Sequence, residues 1–208
     1  MLGQQIRAWE VLDDRVLRSI AETPRERFVP ADYRDLAFAD TEVPIGHGQS
    51  MLAPKIEGRI LQALEIEQVD EVLEIGTGTG YLTACLARLA QQVASVDIVP
   101  ELVAPARARL AELELRNVEI EAADALAMDV PAGRFDAIAV TGSVPELDEH
   151  FIRMLRPGGR LFVVVGRAPA MEARLVTMHA GGTWTTASLF ETVLIPLINA
   201  ERPEPFVL

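Results

Sequence analysis

The chain has 208 residues and a formal net charge of −12, and half of its residues are hydrophobic. This composition is typical of one folded α/β domain and excludes a disordered chain. The acidic balance argues against nucleic acid as a partner, because nucleic-acid binders need a basic surface to displace counterions. The N-terminus lacks the regions of a signal peptide, and no apolar run reaches the roughly 18 residues of a membrane span. We therefore expect a cytoplasmic protein without membrane contact.

Cysteine and histidine, which form disulfides or bind metals, are scarce. Cys85 is the single cysteine and cannot form an internal disulfide. The three histidines, His47, His150 and His179, show no ligand spacing with the cysteine or with one another. We expect no metal site.

The N-terminal third is predicted to be helical with one loop. Apolar residues at intervals of three and four predict an amphipathic helix from about residue 2 to residue 21. Three prolines interrupt the segment that follows, and residues 45–50 form a polar, glycine-containing loop. A second helix is expected from about residue 54 to residue 64.

Strands and helices alternate from residue 69 onward, which indicates a parallel sheet with helices on both faces. Two further strands around a Gly-Gly turn predict an antiparallel addition at the sheet edge, and residues 202–208 are expected to form an extended tail. We expect a single α/β domain over residues 1–208, with a helical and substrate-loop region (1–66), a cofactor-binding core (67–166) and C-terminal strands and tail (167–208). The alternating strands are predicted near 71–75, 93–98, 118–123, 135–141 and 160–166, the helices near 80–90, 100–114 and 145–155, and the edge strands near 174–179 and 185–193.

A glycine-rich loop follows the first of these strands. Gly76, Gly78 and Gly80 stand at every second position, directly before a predicted helix. Without Cβ atoms such a loop can adopt positive φ angles, and a ligand can lie against its backbone. It lacks the Gly-Lys-Ser/Thr ending of a phosphate-binding loop, and Tyr81 stands where the last glycine of the dinucleotide fingerprint would fall. The loop therefore predicts a nucleotide-like cofactor that is not held through phosphates.

Two carboxylates end the next two strands. Asp97 lies about twenty residues beyond the loop, the usual distance for a ribose ligand. Asp124 follows the third strand, where it can accept a hydrogen bond from an adenine amino group. An aspartate at a strand end is often only the N-cap of the next helix, but the ordered set of loop and two acids is much less frequent by chance. Together they predict S-adenosylmethionine, which has adenine and ribose but no phosphate.

Several segments between about residue 20 and residue 166 resemble the protein-L-isoaspartate O-methyltransferase family, in the order expected for it. The resemblance implies a Rossmann-like class I methyltransferase fold and an enzyme that esterifies the α-carboxylate of L-isoaspartyl residues in damaged proteins, with S-adenosylmethionine as methyl donor. Isoaspartyl-containing peptides or proteins would be its substrates, and we expect a monomer or weak homo-oligomer. The similar segments are residues 24–30, 33–37, 44–50, 74–81, 141–146 and 155–161.

The resemblance also implies roles for individual residues. The methionine part of the cofactor would lie against the glycine loop, the ribose against Asp97 and the adenine against Asp124 and Ala125. Gln49 and Ser50 would cover the sulfonium and receive the acceptor carboxylate. The complete cofactor-binding set is Glu74, Gly76, Thr77, Gly78, Gly80, Asp97, Ile98, Asp124, Ala125 and Thr141, and the acceptor set is Gln49, Ser50 and Leu52.

One position departs from the family pattern. The family usually reads Gly-Gln-Thr-Ile-Ser-x-Pro, whereas residues 48–54 read Gly-Gln-Ser-Met-Leu-Ala-Pro. Leu52 thus replaces the serine usually regarded as the active-site residue, while Ser50 keeps a hydroxyl nearby. Methyl transfer to an ionised carboxylate needs positioning rather than a general base. Two alternatives therefore stay open: a methyltransferase for another carboxylate or a small molecule, and a cofactor-binding protein without isoaspartyl activity. A nicotinamide dehydrogenase fits less well.

Overall fold

The N-terminal helix is shorter than the sequence predicts. The computed structural model describes residues 6–200, so part of the predicted helix and the predicted tail at 202–208 lie outside the described residues. A single helix over residues 2–21 is wrong: a 3₁₀ turn, Arg7–Trp9, ends where Glu10 adopts a φ of 62°, and helix α1 starts anew at Asp14–Glu22. The interruption is stable because Asp13 caps α1, accepting from the Arg15 N–H at 2.8 Å.

The predicted polar loop at residues 45–50 is a β-hairpin. Strands β1 (Val43–Gly46) and β2 (Gln49–Met51) pair antiparallel. His47 and Gly48 form the turn with φ angles of 55° and 70°, the positive values that two-residue hairpin turns require. Two 3₁₀ segments, Arg25–Arg27 and Ala31–Leu36, precede the hairpin.

Helix α2 confirms the prediction for its segment. It spans Pro54–Leu64 and starts with a proline, whose missing N–H is no loss in the first helical turn. The helix follows β2 after a junction of two residues. That junction fixes the hairpin next to the main sheet.

The main sheet has seven strands in the order β5-β4-β3-β6-β7-β8-β9 among the described residues. The pairs among β5, β4, β3, β6 and β7 are parallel, and β8 and β9 add antiparallel at one edge, which confirms the predicted fold class. The strands are β3 (Glu71–Ile75), β4 (Gln92–Asp97), β5 (Val118–Ala122), β6 (Phe135–Val144), β7 (Leu155–Arg167), β8 (Ala170–Met178) and β9 (Trp184–Glu191).

Three helices connect the parallel strands: α3 (Tyr81–Ala87), α4 (Pro100–Glu112) and α5 (Glu149–Arg153). The helix predicted over residues 145–155 is reduced to α5. It starts late because Asp148 caps it, accepting from the His150 N–H, and it ends early because Leu155 already pairs with Phe135 in the sheet.

The two faces of the sheet carry different layers. Alternate strand residues such as Val72 and Leu73 belong to separate apolar cores, because successive side chains of a strand point to opposite faces. Helices α1 to α4 cover the Val72 face, whereas α5 and the loops around residues 123–130 cover the Leu73 face. No helix within residues 6–200 is long and apolar enough to cross a membrane. The carboxyl ends of the parallel strands meet at one edge, where the site lies.

Candidate active site

A cavity of about 90 Å³ lies at the carboxyl ends of β3, β4, β5 and β6, with the β1–β2 hairpin on one side. Ligands of open α/β sheets bind at this edge, because the loops that follow the parallel strands converge there. The structure brings together at this cavity most of the residues predicted from the sequence: Gln49, Ser50, Leu52, Gly76, Gly78, Asp97, Ile98, Asp124, Ala125 and Thr141.

A smaller cavity of about 40 Å³ lies between the glycine loop and the end of the hairpin. Two predicted residues, Glu74 and Thr77, line it together with Ser50 and Leu52. Gly80 lines neither cavity. It stands at the start of α3, where an added Cβ would lie 3.2 Å from the Cβ of Ala106 in α4, so its place in the fold is close helix packing.

The glycine loop is shaped by a contact with the end of β6. Gly76 has a φ of 97°, and a Cβ at this position would lie 2.1 Å from the Thr141 hydroxyl oxygen. That oxygen lies 2.9 Å from the carbonyl of Ile75 and 3.0 Å from the carbonyl of Gly76. Only a glycine permits this close approach, which leaves the backbone of the loop open to a ligand.

Asp97 joins the glycine loop to the end of β4. Its Oδ2 accepts from the Gly78 N–H at 2.8 Å, and its Oδ1 accepts from the Val99 N–H at 2.9 Å. The side chain is buried, so the two backbone donors fix its orientation. Each carboxylate oxygen keeps a second lone pair, which leaves Asp97 able to accept from ribose hydroxyls.

Glu74 is the most buried charged group of the site, with no exposed surface. Its Oε2 accepts from the hydroxyls of Thr83 and Ser95, and the Thr77 hydroxyl lies 2.6 Å from that of Ser95. Its Oε1 has no protein partner. Burial, only partly offset by these hydrogen bonds, raises the pKa of Glu74 to about 8. A buried polar atom without a partner is unusual, and here it marks a position that can form a hydrogen bond with a ligand.

Asp124 is held from two sides at the end of the cavity. Its Oδ1 accepts from the Leu126 N–H at 3.0 Å, and its Oδ2 accepts from the Asn199 amide at 2.8 Å. Asn199 adopts a φ of 68°, which asparagine tolerates better than most residues. The contact places the C-terminal segment next to the predicted adenine position.

A C-terminal segment that was not predicted from the sequence completes the cavity. Residues 194–198 line the cavity opposite the glycine loop. Ser143 at the end of β6 fixes them, because its N–H donates to Ile195, its carbonyl accepts from Leu197 and its hydroxyl donates to Leu194. An apolar Leu-Ile-Pro-Leu-Ile run after the last strand was the available signal.

The hairpin forms the side of the site where the sequence predicts the acceptor. Gln49 and Ser50 are half-buried on β2 and face the same cavity as Asp97 and Thr141. Leu52 is 9% exposed and lines both cavities. An apolar wall therefore stands beside the Ser50 hydroxyl.

The fold and the site together define a class I methyltransferase: a parallel sheet with a glycine loop after β3 and acids after β4 and β5, extended by antiparallel strands. Comparison with known proteins agrees. The family profile described as protein-L-isoaspartate(D-aspartate) O-methyltransferase matches residues 1–202. The chain belongs to this family, which confirms the predicted family, enzyme class and methyl donor, S-adenosylmethionine. Family membership does not favour the alternative functions.

Individual relatives cover nearly the whole chain. A protein-L-isoaspartate O-methyltransferase 1 from an Anaeromyxobacter species is 42% identical over 96% of this chain and 95% of its own. A protein-L-isoaspartate O-methyltransferase from Koribacter versatilis is 36% identical over 99% of this chain and 92% of its own.

A solved structure shares the fold. It is a crystal structure from Plasmodium falciparum, described as a putative protein-L-isoaspartate O-methyltransferase in complex with S-adenosyl-L-homocysteine. It superposes with a TM-score of 0.81 at 21% identity, over 94% of this chain and 96% of that one.

Proposed function

We propose that this protein transfers a methyl group from S-adenosylmethionine to the α-carboxylate of L-isoaspartyl residues in proteins. The observation that carries the proposal is the position of Ser50, which faces one cavity together with the glycine loop, Asp97 and Asp124. An acceptor held at the hairpin would thus lie next to a cofactor held at the sheet. The chain's family membership supports the choice of acceptor.

The residues at the sheet edge fit an adenosine-containing cofactor. Asp97 and Asp124 both offer carboxylate oxygens to the cavity, which suits the hydroxyls of a ribose and the amino group of an adenine. The Oε1 atom of Glu74, which has no protein partner, can form a hydrogen bond with a polar group of the methionine part. Gly76 and Gly78 allow that part to lie against the loop backbone. We assign these contacts, with Thr77, Ile98, Ala125 and Thr141 beside them, as the cofactor site.

The reaction needs positioning more than acid–base chemistry. When bound, S-adenosylmethionine supplies a methyl group on a positively charged sulfur. The acceptor carboxylate is already ionised at neutral pH, so no residue has to remove a proton. Gln49 and Ser50 would hold the carboxylate in line, and the hairpin and residues 194–198 would exclude water. Correct placement of this kind can lower a barrier by about 7–11 kcal/mol.

Ser50 takes the main share of acceptor binding in this proposal. Leu52 has no polar group, so Ser50 carries the hydroxyl that the chain retains in this part of the site, beside the amide of Gln49. A hydrogen bond to a charged partner contributes about 1.5–3 kcal/mol. Removal of the hydroxyl should therefore lower kcat/KM by roughly 10-fold to 100-fold.

The test is transfer of labelled methyl from S-adenosylmethionine to a short isoaspartyl peptide, run beside the same peptide with normal aspartate. We expect the isoaspartyl peptide alone to be labelled by the wild type, and Ser50→Ala to reduce the rate while the affinity for S-adenosylhomocysteine is unchanged. Ser188→Ala, on β9 outside the two cavities, is the matched control. Binding of the cofactor without labelling of either peptide would overturn the proposed acceptor.

Location and assembly stay predictions of the sequence. A cytoplasmic monomer or weak homo-oligomer is expected, without nucleic acid or membrane as partner. The net charge of −12 supports the exclusion of nucleic acid. Sedimentation of the purified protein at several concentrations would test the oligomeric state.

A further inference from the structure

A fully buried arginine joins parts of the chain that are far apart in sequence. Arg25 is 1% exposed, and each of the three nitrogens of its guanidinium group forms a hydrogen bond. Its Nε donates to the carbonyl of Ala37 at 2.8 Å, its Nη2 donates to the carbonyl of Leu52 at 2.6 Å, and its Nη1 pairs with the Glu57 carboxylate on α2. The guanidinium carbon also lies 4.6 Å from the centre of the Tyr81 ring.

Stability does not account for this arrangement. Glu57 is 3% exposed, and its burial raises its pKa although Arg25 acts in the opposite direction. Taking two such charges out of water is costly, and well-packed apolar pairs often replace buried ion pairs without loss of stability. The position of the groups that Arg25 holds is therefore more informative than the ion pair itself.

One of these groups is the carbonyl of the residue after the hairpin. The ladder between β1 and β2 ends at Met51, which pairs with Val43, so Leu52 lies beyond the last strand pair. Helix α2 starts at Pro54, so Leu52 also lies outside the helix. The hydrogen bond from Arg25 fixes the peptide plane that follows Leu52, and with it the direction of the chain from Ser50 into α2.

The other group lies on the cofactor side. Tyr81 is the first residue of α3 and directly follows the glycine loop, residues 76–80. Its ring packs against the guanidinium and, at 5.5 Å between ring centres, against Phe28. Cations are attracted to the faces of aromatic rings, so this contact has an energetic basis. Arg25 thus contacts both the end of the acceptor hairpin and the start of the helix behind the cofactor loop.

We propose that Arg25, oriented by Glu57, is a positioning residue that fixes the acceptor segment, residues 49–52, against the glycine loop. It touches neither the cofactor nor the acceptor and acts through the Leu52 carbonyl. The acceptor part of this inference rests on the proposed function. Arginine suits the role better than lysine, since its planar fork can donate to several fixed acceptors at once.

The test compares Arg25→Met, Glu57→Leu and the double variant Arg25→Met/Glu57→Leu. Each single variant leaves a buried ionisable group without its partner and should be strongly destabilised in urea unfolding. The double variant removes both charges and should recover most of that stability, but it leaves the Leu52 carbonyl without its donor. We expect its KM for an isoaspartyl peptide to be at least tenfold above that of the wild type, with the affinity for S-adenosylhomocysteine within twofold. Recovery of both stability and KM would overturn the proposal.

Two further variants make the test independent of folding defects. Arg25→Lys keeps a positive charge for Glu57 but cannot donate to all three acceptors, so we expect a folded enzyme with a KM raised several-fold. A KM equal to that of the wild type would contradict the positioning role. Arg27→Met removes an exposed arginine of the same 3₁₀ turn, which pairs with Glu112. This variant should change neither the KM for the isoaspartyl peptide nor the Kd for S-adenosylhomocysteine.

Hydrogen exchange separates this proposal from the proposed function. With S-adenosylhomocysteine bound, the double variant should exchange backbone amides of residues 49–53 faster than the wild type, while β8 exchanges equally in both proteins. A wild type that does not methylate the isoaspartyl peptide would overturn the proposed acceptor, and the exchange of residues 49–53 would still decide the role of Arg25. Equal exchange in that segment would overturn the positioning role whatever the acceptor is.

Discussion

The proposed cofactor half and the proposed acceptor half of the site differ in how the chain builds them. Glu74, Asp97 and Asp124 stand at or just after the ends of neighbouring parallel strands, and hydrogen bonds to nearby backbone or hydroxyl groups fix them. The proposed acceptor half is a short hairpin, and Arg25 holds the carbonyl of the residue that follows it, Leu52, 27 positions later in the chain. Sheet geometry therefore places the carboxylates of the first half, although Asn199 also holds Asp124, whereas a remote side chain fixes the direction of the chain in the second.

Asp97 offers the strongest test of the cofactor half. In Asp97→Asn one of the two carboxylate oxygens becomes an NH₂ group, which cannot accept from the N–H of Gly78 or Val99. The variant loses a charged acceptor for the ribose and loosens the loop. Since hydrogen bonds to charged groups contribute about 1.5–3 kcal/mol each, we expect the Kd for S-adenosylhomocysteine to rise by about 100-fold in calorimetry.

The control is Asp129→Asn, an exposed aspartate outside the main cavity. It should bind with the affinity of the wild type. An Asp97→Asn protein that is folded by circular dichroism and binds within twofold of the wild type would remove Asp97 from the cofactor site.

Leu52→Ser tests the acceptor half, with a smaller expected effect. The change restores the serine of the family pattern beside Ser50 and adds a donor for the acceptor carboxylate. We expect kcat/KM for the isoaspartyl peptide to rise about tenfold, equivalent to about 1.4 kcal/mol, with no change in cofactor affinity. Loss of the buried leucine should lower the free energy of unfolding by about 2–5 kcal/mol.

A matched leucine separates the two consequences. Leu89 is 7% exposed and lies outside both cavities, so Leu89→Ser should cost similar stability without a gain in activity. If Leu52→Ser instead loses activity on the isoaspartyl peptide, the apolar wall at Leu52 is itself part of acceptor recognition.

The sequence predicted which residues meet at the sheet edge because each part of the proposed cofactor half has a local signal. An apolar strand ending in glycines, and an aspartate ending each of the next two strands, can be recognised within a few residues. The rule that parallel strands end at the same edge then brings Asp97 and Asp124 to one cavity. Gly80 belongs to the same motif, yet its place is packing against Ala106, since a motif does not state which of its residues face the ligand.

The acceptor half and the C-terminal segment were less predictable because their contacts are distant in sequence. Arg25 has the pattern of an exposed residue between two prolines, and only Glu57, 32 positions later, makes its burial possible. Asn199 meets Asp124 across 75 positions. The prediction of one continuous N-terminal helix was wrong for a related reason. The interruption before α1 is stabilised by the Gln62 side chain, which accepts from the N–H groups of Leu12 and Asp13.

The pH dependence of stability at Glu74 tests whether the proposed cofactor half contains a protonated carboxyl. Its pKa is about 8 in the folded protein against an ordinary value of 4.5. The folded protein then keeps this proton where the unfolded chain loses it, so the contribution to stability is complete below pH 4.5 and is lost as the pH rises through 8. One such proton changes the free energy of unfolding by at most about 1.4 kcal/mol per pH unit.

Glu74→Gln removes the titratable carboxyl. The free energy of unfolding of this variant should therefore fall less steeply with rising pH than that of the wild type between pH 5 and pH 8. We expect the difference between the two proteins in urea unfolding to change by at least about 1 kcal/mol over this range. The raised pKa of Glu57 also makes stability fall with rising pH, but Glu57 is present in both proteins. The difference in stability between the two proteins therefore reports mainly on Glu74. Glu149→Gln on exposed α5 should follow the wild type. Parallel curves for Glu74→Gln and the wild type would mean that Glu74 is ionised in the folded protein and that Ser95 and Thr83 stabilise its charge.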